Sequence, residues 1–274
     1  MFDRILLPLD GSDLAEAVLP YGEEMARKMG SRLVLFHACD ASHKQSRGMH
    51  RLYLEKRAEL VRQSLSLDGT GRDFQVITEH RFGDFTPSLC DYINKNDVDL
   101  LVMVAHGFTS PLMDSVVDDA VRLAKCPTLL VRRESRSGEG RDLIHILLVP
   151  LDGTSYSQQI LNIARPMAEL LDAEIVLFSA TKLSGYSPSA IDNQKKGLIS
   201  YLEGVATLLK GLKVSIKVAE AIDFAIAIDE AACQVKADLV TMVTNSPVTE
   251  WAESSQARKL LNKGATSLLI MHRK

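Results

Sequence analysis

The sequence contains the same pattern twice, and the two copies lie 142 residues apart at their first matching segment. ILLPLDGS at residues 5–12 returns as LLVPLDGT at residues 147–154, and DLLVMV at 99–104 returns as DLVTMV at 238–243. A period of this length corresponds to a whole domain, because the repeats of solenoid proteins span about 20 to 50 residues. The sequence therefore predicts a tandem duplication of one domain.

Each copy has roughly 135 residues, which is close to the most common domain size and long enough to bury its own core. A segment rich in arginine, glycine and serine separates the two copies. We therefore predict one domain at residues 1–135, a linker at residues 136–142 and a second domain at residues 143–274.

The composition is that of an ordinary globular protein, with 46% hydrophobic and 24% charged residues and a net charge of −3. The most basic stretch, residues 132–142, holds four arginines but also three acidic residues, so it predicts no surface for nucleic acid. No run of 18 apolar residues occurs, and the chain starts directly with a strand-like segment. These features predict a cytoplasmic protein without a membrane partner.

The four cysteines are scattered along the chain at Cys39, Cys90, Cys126 and Cys233. They form no C-x-x-C pair of the kind that marks zinc sites and disulfide frameworks. The spacing therefore predicts reduced and mostly buried thiols, and it predicts no metal site.

Each half alternates short apolar runs, rich in β-branched residues, with longer amphipathic stretches. This pattern is typical of β-α-β units around a parallel sheet that is buried on both faces. The predicted fold class is therefore α/β, with two tandem doubly wound domains of five strands and four helices each. The predicted strands are residues 4–9, 32–38, 75–81, 100–105 and 128–132 in the first half, and 146–151, 174–180, 214–219, 239–244 and 267–272 in the second.

The first helix carries signals at both of its ends. Ser12 or Asp13 can cap its start, and Gly30 is placed to end it. The apolar residues Met25 and Met29 are spaced to share one face of this helix.

Ligands of doubly wound sheets bind at the carboxyl ends of the strands, where the winding direction reverses. The residues that follow strands one, two and four are therefore candidates for a ligand site. They are Asp10, Gly11, Ser12, Ala38, Cys39, His106 and Gly107 in the first half, and Asp152, Gly153, Thr154, Ala180, Thr181, Asn245 and Ser246 in the second.

Three segments of the first half resemble the universal stress protein family. ILLPLDGS is similar to its first strand and turn, residues 83–107 to its third helix and fourth strand, and residues 115–131 to its fourth helix and last strand. The resemblance covers nearly the whole chain, twice. It implies Rossmann-like, adenine nucleotide alpha hydrolase-like domains with strand order 3-2-1-4-5. It also implies a stress-response protein that binds ATP or AMP without a robust catalytic cycle.

Nucleotide-binding members of this family carry the pattern G-x2-G-x9-G-[ST] after the fourth strand, where backbone N–H groups hold phosphate at a helix N-terminus. In the first half, the residues at the four motif positions are Val104, Gly107, Asp114 and Ser115, in a loop three residues shorter than the family's. Asp114 would place a carboxylate where the family binds phosphate. Two unit charges about 4 Å apart repel by roughly 4 kcal/mol at an effective dielectric constant near 20. Tight ATP binding in the first half is therefore not expected.

The second half departs from the motif in a milder way. Its four motif positions are occupied by Val243, Ser246, Ser254 and Ser255. Glycine is lost here too, but no carboxylate replaces it, and the three hydroxyls can donate hydrogen bonds. The resemblance therefore implies that any ATP or AMP binds weakly, and more in the second half than in the first.

Asp10 and Asp152 lie where family members contact the nucleotide, each followed by a glycine, Gly11 or Gly153. The alternative interpretation is that Asp-Gly-Ser and Asp-Gly-Thr form only a turn and a helix cap, which these residue types favour for local reasons. The sequence alone leaves both open.

Four further residues also have two interpretations. Ala38 and Ala180 fall where family members hold the adenine ring, or they are simply small residues at strand ends. His106 lacks a recognisable nucleophile beside it, which argues against catalysis. Trp251 lies in the altered loop of the second half, where it covers the pocket or only packs.

We therefore predict a tandem universal stress protein that regulates rather than catalyses, although weak ATP hydrolysis is compatible with its sequence. One alternative is an enzyme of the nucleotide-binding α/β group, an adenylyltransferase or an ATP pyrophosphatase. The chain has L-D-G-S where these enzymes need H-x-G-H or S-G-G-x-D-S, and it lacks the phosphate-loop and dinucleotide motifs. The other alternative is a ligand-free interaction scaffold.

The predicted partners follow from the last strands of the two halves. Residues 128–131 and 267–271 are largely apolar and would otherwise form exposed sheet edges. We expect the two domains to pair with each other within the chain. A homodimer and an unidentified protein partner are further possibilities.

Overall fold

A computed structural model describes residues 1–39, 47–67, 69, 71–105, 111–132, 142–183, 188–244 and 255–272, without the side chains of residues 47 and 111–115. The chain divides into two compact units, and among the described residues the boundary lies between Leu143 and Ile144. None of the described helices is both long enough and apolar enough to cross a membrane.

The first unit is a parallel five-stranded sheet with helices between its strands. Its elements are β1 (Arg4–Pro8), α1 (Leu19–Met29), β2 (Arg32–Cys39), α2 (Arg47–Ser66), β3 (Val76–Phe82), α3 (Phe85–Lys95), β4 (Leu100–Val104), α4 (Pro111–Leu123) and β5 (Thr128–Val131). The strand order is β3-β2-β1-β4-β5, which confirms the predicted doubly wound α/β class and the order 3-2-1-4-5.

The second unit repeats this arrangement. Its elements are β6 (Ile146–Pro150), α5 (Leu161–Leu171), β7 (Glu174–Lys182), α6 (Pro188–Ala206), β8 (Val214–Ala221), α7 (Phe224–Val235), β9 (Leu239–Thr244), α8 (Gln256–Lys263) and β10 (Ser267–His272). Within the unit the strands follow the order β8-β7-β6-β9-β10, again all parallel. All ten strands lie within two residues of their predicted bounds.

The central strands are apolar on both faces because helices cover both faces of each sheet. Leu6 in β1 is fully buried and pairs with Val34 in β2 and Leu101 in β4. The matching residue of the second unit, Leu148, is also fully buried and pairs in the same way with β7 and β9. A continuous apolar run is what a parallel strand in this position requires.

The repeated aspartate before the fourth strand fixes the start of the first strand. The Asp99 carboxylate accepts hydrogen bonds from the backbone N–H groups of Asp3 and Arg4, both at 2.9 Å. Asp238 does the same for His145 and Ile146 at 2.9 Å. These N–H groups lie at the start of each strand, and the carboxylates provide them with acceptors.

The first helix ends as predicted, but it starts later. Gly30 has a φ of 72° and its N–H donates to the Ala26 carbonyl at 2.9 Å, which is a left-handed helix end. A short 3-10 turn, Ala15–Val18, precedes α1, and Ser12 Oγ accepts from the N–H of its first residue, Ala15, at 3.1 Å. Met25 is fully buried on the core-facing side of this helix.

Candidate functional site

The turn after the first strand has the same hydrogen bonds in both units. Asp10 Oδ1 accepts from the N–H of Ser12 at 2.8 Å and from its hydroxyl at 2.6 Å. Asp152 Oδ1 accepts from the N–H of Thr154 at 3.0 Å and from its hydroxyl at 2.6 Å. The intervening glycines, Gly11 and Gly153, have φ values of 91° and 87°, which disfavour any side chain. Turn chemistry therefore accounts for one carboxylate oxygen in each unit.

The second carboxylate oxygen of Asp10 and Asp152, Oδ2, takes no part in the hydrogen bonds of the turn. Asp10 and Asp152 are both exposed, and within the described part of the chain no residue donates a hydrogen bond to Oδ2 of either. Partial burial alone would raise the pKa of Asp152, but hydrogen bonds to its carboxyl group, with that from the Thr154 hydroxyl the largest, outweigh burial and lower that pKa. Asp152 is therefore charged at neutral pH, with one oxygen able to accept a hydrogen bond from a ligand.

A cavity of about 240 Å³ lies beside Asp152 in the second unit. It opens at the carboxyl ends of β6 and β9, which is the edge where a doubly wound sheet binds ligands. The described residues that line it are Pro150, Asp152, Ser157, Phe224, Met242, Val243, Thr244, Ser255, Gln256 and Ala257. The cavity therefore combines an apolar wall with a carboxylate, hydroxyls and the start of a helix.

The start of α8 supplies polar groups to this cavity. Ser255 is the N-cap of α8, and its hydroxyl accepts from the Arg258 N–H at 3.5 Å. Gln256 Oε1 is buried and has no hydrogen-bond partner among the described residues. An unpaired buried acceptor is costly, so this atom favours a ligand or water that donates to it.

An ion pair links α8 to the helix on the other side of the cavity. Asp223 is the N-cap of α7, where its Oδ1 accepts from the Ala225 N–H at 2.8 Å. Its Oδ2 lies 2.6 Å from Nζ of Lys259 on α8. The hydrogen bond from Lys259 is the main reason why the pKa of Asp223 lies below its usual value. The pair helps to hold the two helix starts that frame the cavity.

The two units differ at the helix that follows the fourth strand. In the second unit α8 starts directly after Ser255, so the aligned hydroxyl stands at the helix cap. In the first unit α4 starts at Pro111, so the backbone of Asp114 and Ser115 already lies inside the helix. The first unit therefore does not present its aligned hydroxyl residue at a helix start.

The structure brings together only some of the predicted site residues. Asp152 and Ser255 line the same cavity, whereas Ala180 lies in β7 and is not among the described residues of the lining. Ala38 is half-buried in β2. Outside the described residues lie His106, Gly107, Asn245, Ser246, Trp251, Ser254 and the predicted linker 136–142 except its last residue.

Sequence analysis missed most residues of the cavity, among them Ser157, Phe224 and Gln256. Ser157 comes from a 3-10 turn, Ser157–Ile160, and its hydroxyl accepts from the Asp152 N–H at 3.3 Å. Phe224 comes from α7, and its ring lies 6.0 Å from that of Phe178. The sequence did offer one signal, because Asp223-Phe224 repeats Asp84-Phe85 of the first half. Gln256 had no such signal.

These features define a tandem protein of doubly wound α/β domains with a cavity at the strand ends of its second domain. Residues 1–132 match the sequence model of the universal stress protein family. The first repeat therefore matches this family, which confirms the resemblance inferred from the sequence. A search of curated proteins finds no match.

Solved structures of other proteins share the fold over nearly the whole chain. A universal stress protein from Archaeoglobus fulgidus DSM 4304 aligns with a TM-score of 0.74 and 14% identity, over 99% of this chain and 98% of that chain. A candidate universal stress protein from Pseudomonas aeruginosa UCBPP-PA14 aligns with a TM-score of 0.69 and 14% identity, over 99% and 94%.

The cytoplasmic domain of a prokaryotic cation chloride cotransporter also aligns, with a TM-score of 0.56 and 12% identity, over 98% of this chain and 95% of that one. At these identities the similarity concerns the fold alone. Because one fold serves proteins of different function, function has to be argued from the site.

Proposed function

We propose that this chain is a regulatory stress-response protein of the cytoplasm whose second domain binds an adenine nucleotide, ATP or AMP, weakly and without turnover. The observation that carries this proposal is the cavity between Asp152, Phe224 and the start of α8. Small-molecule sites typically combine an apolar wall with a few polar groups that fix orientation. This cavity has that composition.

The polar groups of the cavity suit a ligand that has hydrogen-bond donors in one part and an anionic, hydrogen-bond-accepting group in another. Asp152 and Gln256 Oε1 each offer an acceptor, which matches ribose hydroxyls or the adenine amine. The first backbone N–H groups of α8 offer donors, which match an anionic group at a helix start. Phe224 and Met242 supply the apolar surface for a base.

Three features support weak rather than tight binding. A volume of about 240 Å³ falls below the range of about 300 to 1,000 Å³ that is typical of drug-sized ligand sites. The described lining also holds no lysine or arginine, so phosphate charge would be met by helix N–H groups alone. A charged Asp152 additionally disfavours a phosphate placed next to it.

The proposal of no turnover rests on the chemistry of the described lining. Asp152 is its only acidic or basic residue, and one of its oxygens is held by the turn. Ser157 Oγ lies in a network with Thr154 and the Asp152 backbone, without a histidine or lysine that could activate it. This favours a binding protein over the enzyme alternative.

Native mass spectrometry of the full chain, as purified and after incubation with ATP or AMP, tests this proposal. We expect partial occupancy by nucleotide that Asp152→Ala abolishes and the matched change Asp10→Ala leaves in place. Loss in Asp10→Ala instead would assign binding to the first domain. If excess nucleotide gives no adduct at all, the scaffold alternative is correct, and conversion of the bound nucleotide to product would establish an enzyme.

We also propose that the two domains pair within the chain. β5 and β10 end the strand order of their own sheets, and both consist mainly of buried apolar residues. An apolar sheet edge that is left uncovered promotes association. We expect isolated residues 1–137 to self-associate in sedimentation velocity at concentrations where the full chain does not aggregate. A fragment that stays monomeric at high concentration would contradict the pairing.

A further inference from the structure

Two histidines and a cysteine of the first unit meet on one face of its sheet. His37 and Cys39 are two residues apart on β2 and therefore point to the same face. His80 on β3 is the direct cross-strand partner of His37. The side-chain donor atoms of the three residues all lie within 4.8 Å of one another, and Cys39 Sγ is 3.7 Å from His80 Nε2.

The hydrogen bond of His37 fixes which of its ring nitrogens carries a lone pair. His37 Nδ1 lies 2.6 Å from the carbonyl oxygen of Leu9, and since a carbonyl can only accept, Nδ1 must carry the proton. In the neutral ring Nε2 is then an acceptor. It is buried, without a hydrogen-bond partner among the described residues, in a side chain that is only 4% exposed.

An orphaned acceptor of this kind is expensive in a folded protein. Metal-binding histidines show the same arrangement, because one ring nitrogen donates to a carbonyl or carboxylate while the other binds the ion. The Leu9 carbonyl thus orients the His37 ring and leaves the lone pair of Nε2 available to an ion. The unpaired nitrogen is an observation independent of the clustering itself.

Helix α2 closes the cluster from above the sheet. The ring of His50 on α2 stacks on that of His37, with centroids 4.6 Å apart and an interplanar angle of 20°. The rings of His37 and His80 are 5.5 Å apart at 9°. A cavity of about 250 Å³ between α2 and β3, lined by Arg51, Glu55, Thr78 and His80 among others, reaches the cluster and offers an ion a way in.

The second unit keeps the hydrogen bond but lacks the donor set. There Ser179 occupies the place of His37, and its hydroxyl donates to the Leu151 carbonyl at 2.7 Å. Thr181 stands in the place of Cys39, and Val218 pairs with Ser179 as His80 pairs with His37. The fold therefore requires only a donor to this carbonyl, so packing does not explain two imidazoles and a thiol in the first unit.

We propose that His37 Nε2, Cys39 Sγ and His80 Nε2 bind one zinc ion in the first domain. Zinc is commonly held by imidazole nitrogen and thiolate sulfur in tetrahedral geometry, whereas magnesium and calcium prefer oxygen. A water, or the imidazole of the neighbouring His50, would complete the four ligands. On binding, the Cys39 thiol gives up its proton to solvent and the metal takes its place.

Metal titration of the full chain after chelator treatment tests the site. We expect one Zn²⁺ per chain in competition with a chromophoric chelator, and no response to Mg²⁺ or Ca²⁺. Co²⁺ in place of zinc should give an intense sulfur-to-metal charge-transfer band together with the visible bands of tetrahedral coordination. A cobalt spectrum without the thiolate band, or the absence of zinc binding, would refute the proposal.

The site variants replace each proposed zinc ligand with the residue at the matching position of the second unit, because the same fold accommodates that residue there. We expect each of three variants, His37→Ser, Cys39→Thr and His80→Val, to bind zinc about a hundredfold more weakly or worse. Loss of a residue that only hydrogen-bonds to a metal ligand already costs about 10- to 100-fold in affinity. Cys90→Ser and His145→Gln, which change a half-buried thiol and an exposed imidazole elsewhere, should leave it unchanged.

Thermal unfolding separates loss of the metal from loss of the fold. Zinc should raise the melting temperature of the wild type and of both controls, but not that of the three site variants. If one site variant is unfolded without metal, the other two still decide the question. Equal zinc affinity in site and control variants would mean that zinc binds surface groups, and the proposal would fail.

Discussion

The full chain is expected to bind ATP about two to four powers of ten more weakly than a family member with an intact G-x2-G-x9-G-[ST] loop. Each charge-assisted hydrogen bond to phosphate is worth about 1.5 to 3 kcal/mol, so the loss of two has an effect of this size. The structure gives a physical reason at the first motif position. Val104 is the last residue of β4 and Val243 lies inside β9, so neither forms a glycine turn towards a ligand.

Calorimetric titration with ATP and magnesium measures this difference. The residual binding should depend on Asp152 and should fall further in Asp152→Ala, with Asp10→Ala as the matched control. Sub-micromolar binding that survives Asp152→Ala would show that the motif comparison is mistaken. Asp114→Gly tests the first domain separately, because weak binding that does not change would show that loop length, rather than charge, closes that site.

Truncation of Phe178 should destabilise the second domain by about 3 to 5 kcal/mol, which is the usual cost of Phe→Ala in a core. Phe178 is fully buried in β7, and its backbone carbonyl accepts from the Leu151 N–H at 2.8 Å. Its ring also packs against that of Phe224, which lines the cavity, so the same change removes a contact behind that residue. The loss approaches the whole stability of a marginal domain, which is about 5 kcal/mol.

Urea unfolding of Phe178→Ala and of Ile222→Ala provides the comparison. Ile222 is 80% exposed in the same unit, so its truncation should change the free energy of unfolding by less than about 0.5 kcal/mol. Comparable losses in the two variants would contradict the burial of Phe178. A nucleotide affinity that falls in Phe178→Ala but not in Ile222→Ala would further tie the ring pair to the cavity.

The strands could be predicted from the sequence because parallel strands covered on both faces must be continuously apolar. Leu6 and Leu148 illustrate this, since each stands in the middle of an unbroken buried run. For Asp99 and Asp238 the sequence shows only that the same residue type recurs at matching positions of the two halves. Their role as acceptors for the start of the first strand needs the register between β1 and β4, which a single sequence does not display.

The candidate sites were harder to predict because their parts come from distant segments. Ser157 and Gln256 reach the cavity from a turn and a helix that are about a hundred residues apart in the sequence. His37 and His80 meet only through the pairing of β2 with β3, and with one cysteine they form no spaced motif. The cysteine spacing along the chain predicts no metal site, whereas the proposed zinc ligands come together across the sheet.

The self-contained turn after each first strand bears on how a duplicated gene can diverge. Since Asp10 and Asp152 each accept from the hydroxyl and N–H of their own turn, neither turn depends on a ligand to complete its hydrogen bonds. Mutations elsewhere in a site that abolish binding in one copy therefore leave the turn after its first strand intact. Natural selection could retain an ancestral ligand in one copy while the other acquired a different specificity on the same scaffold.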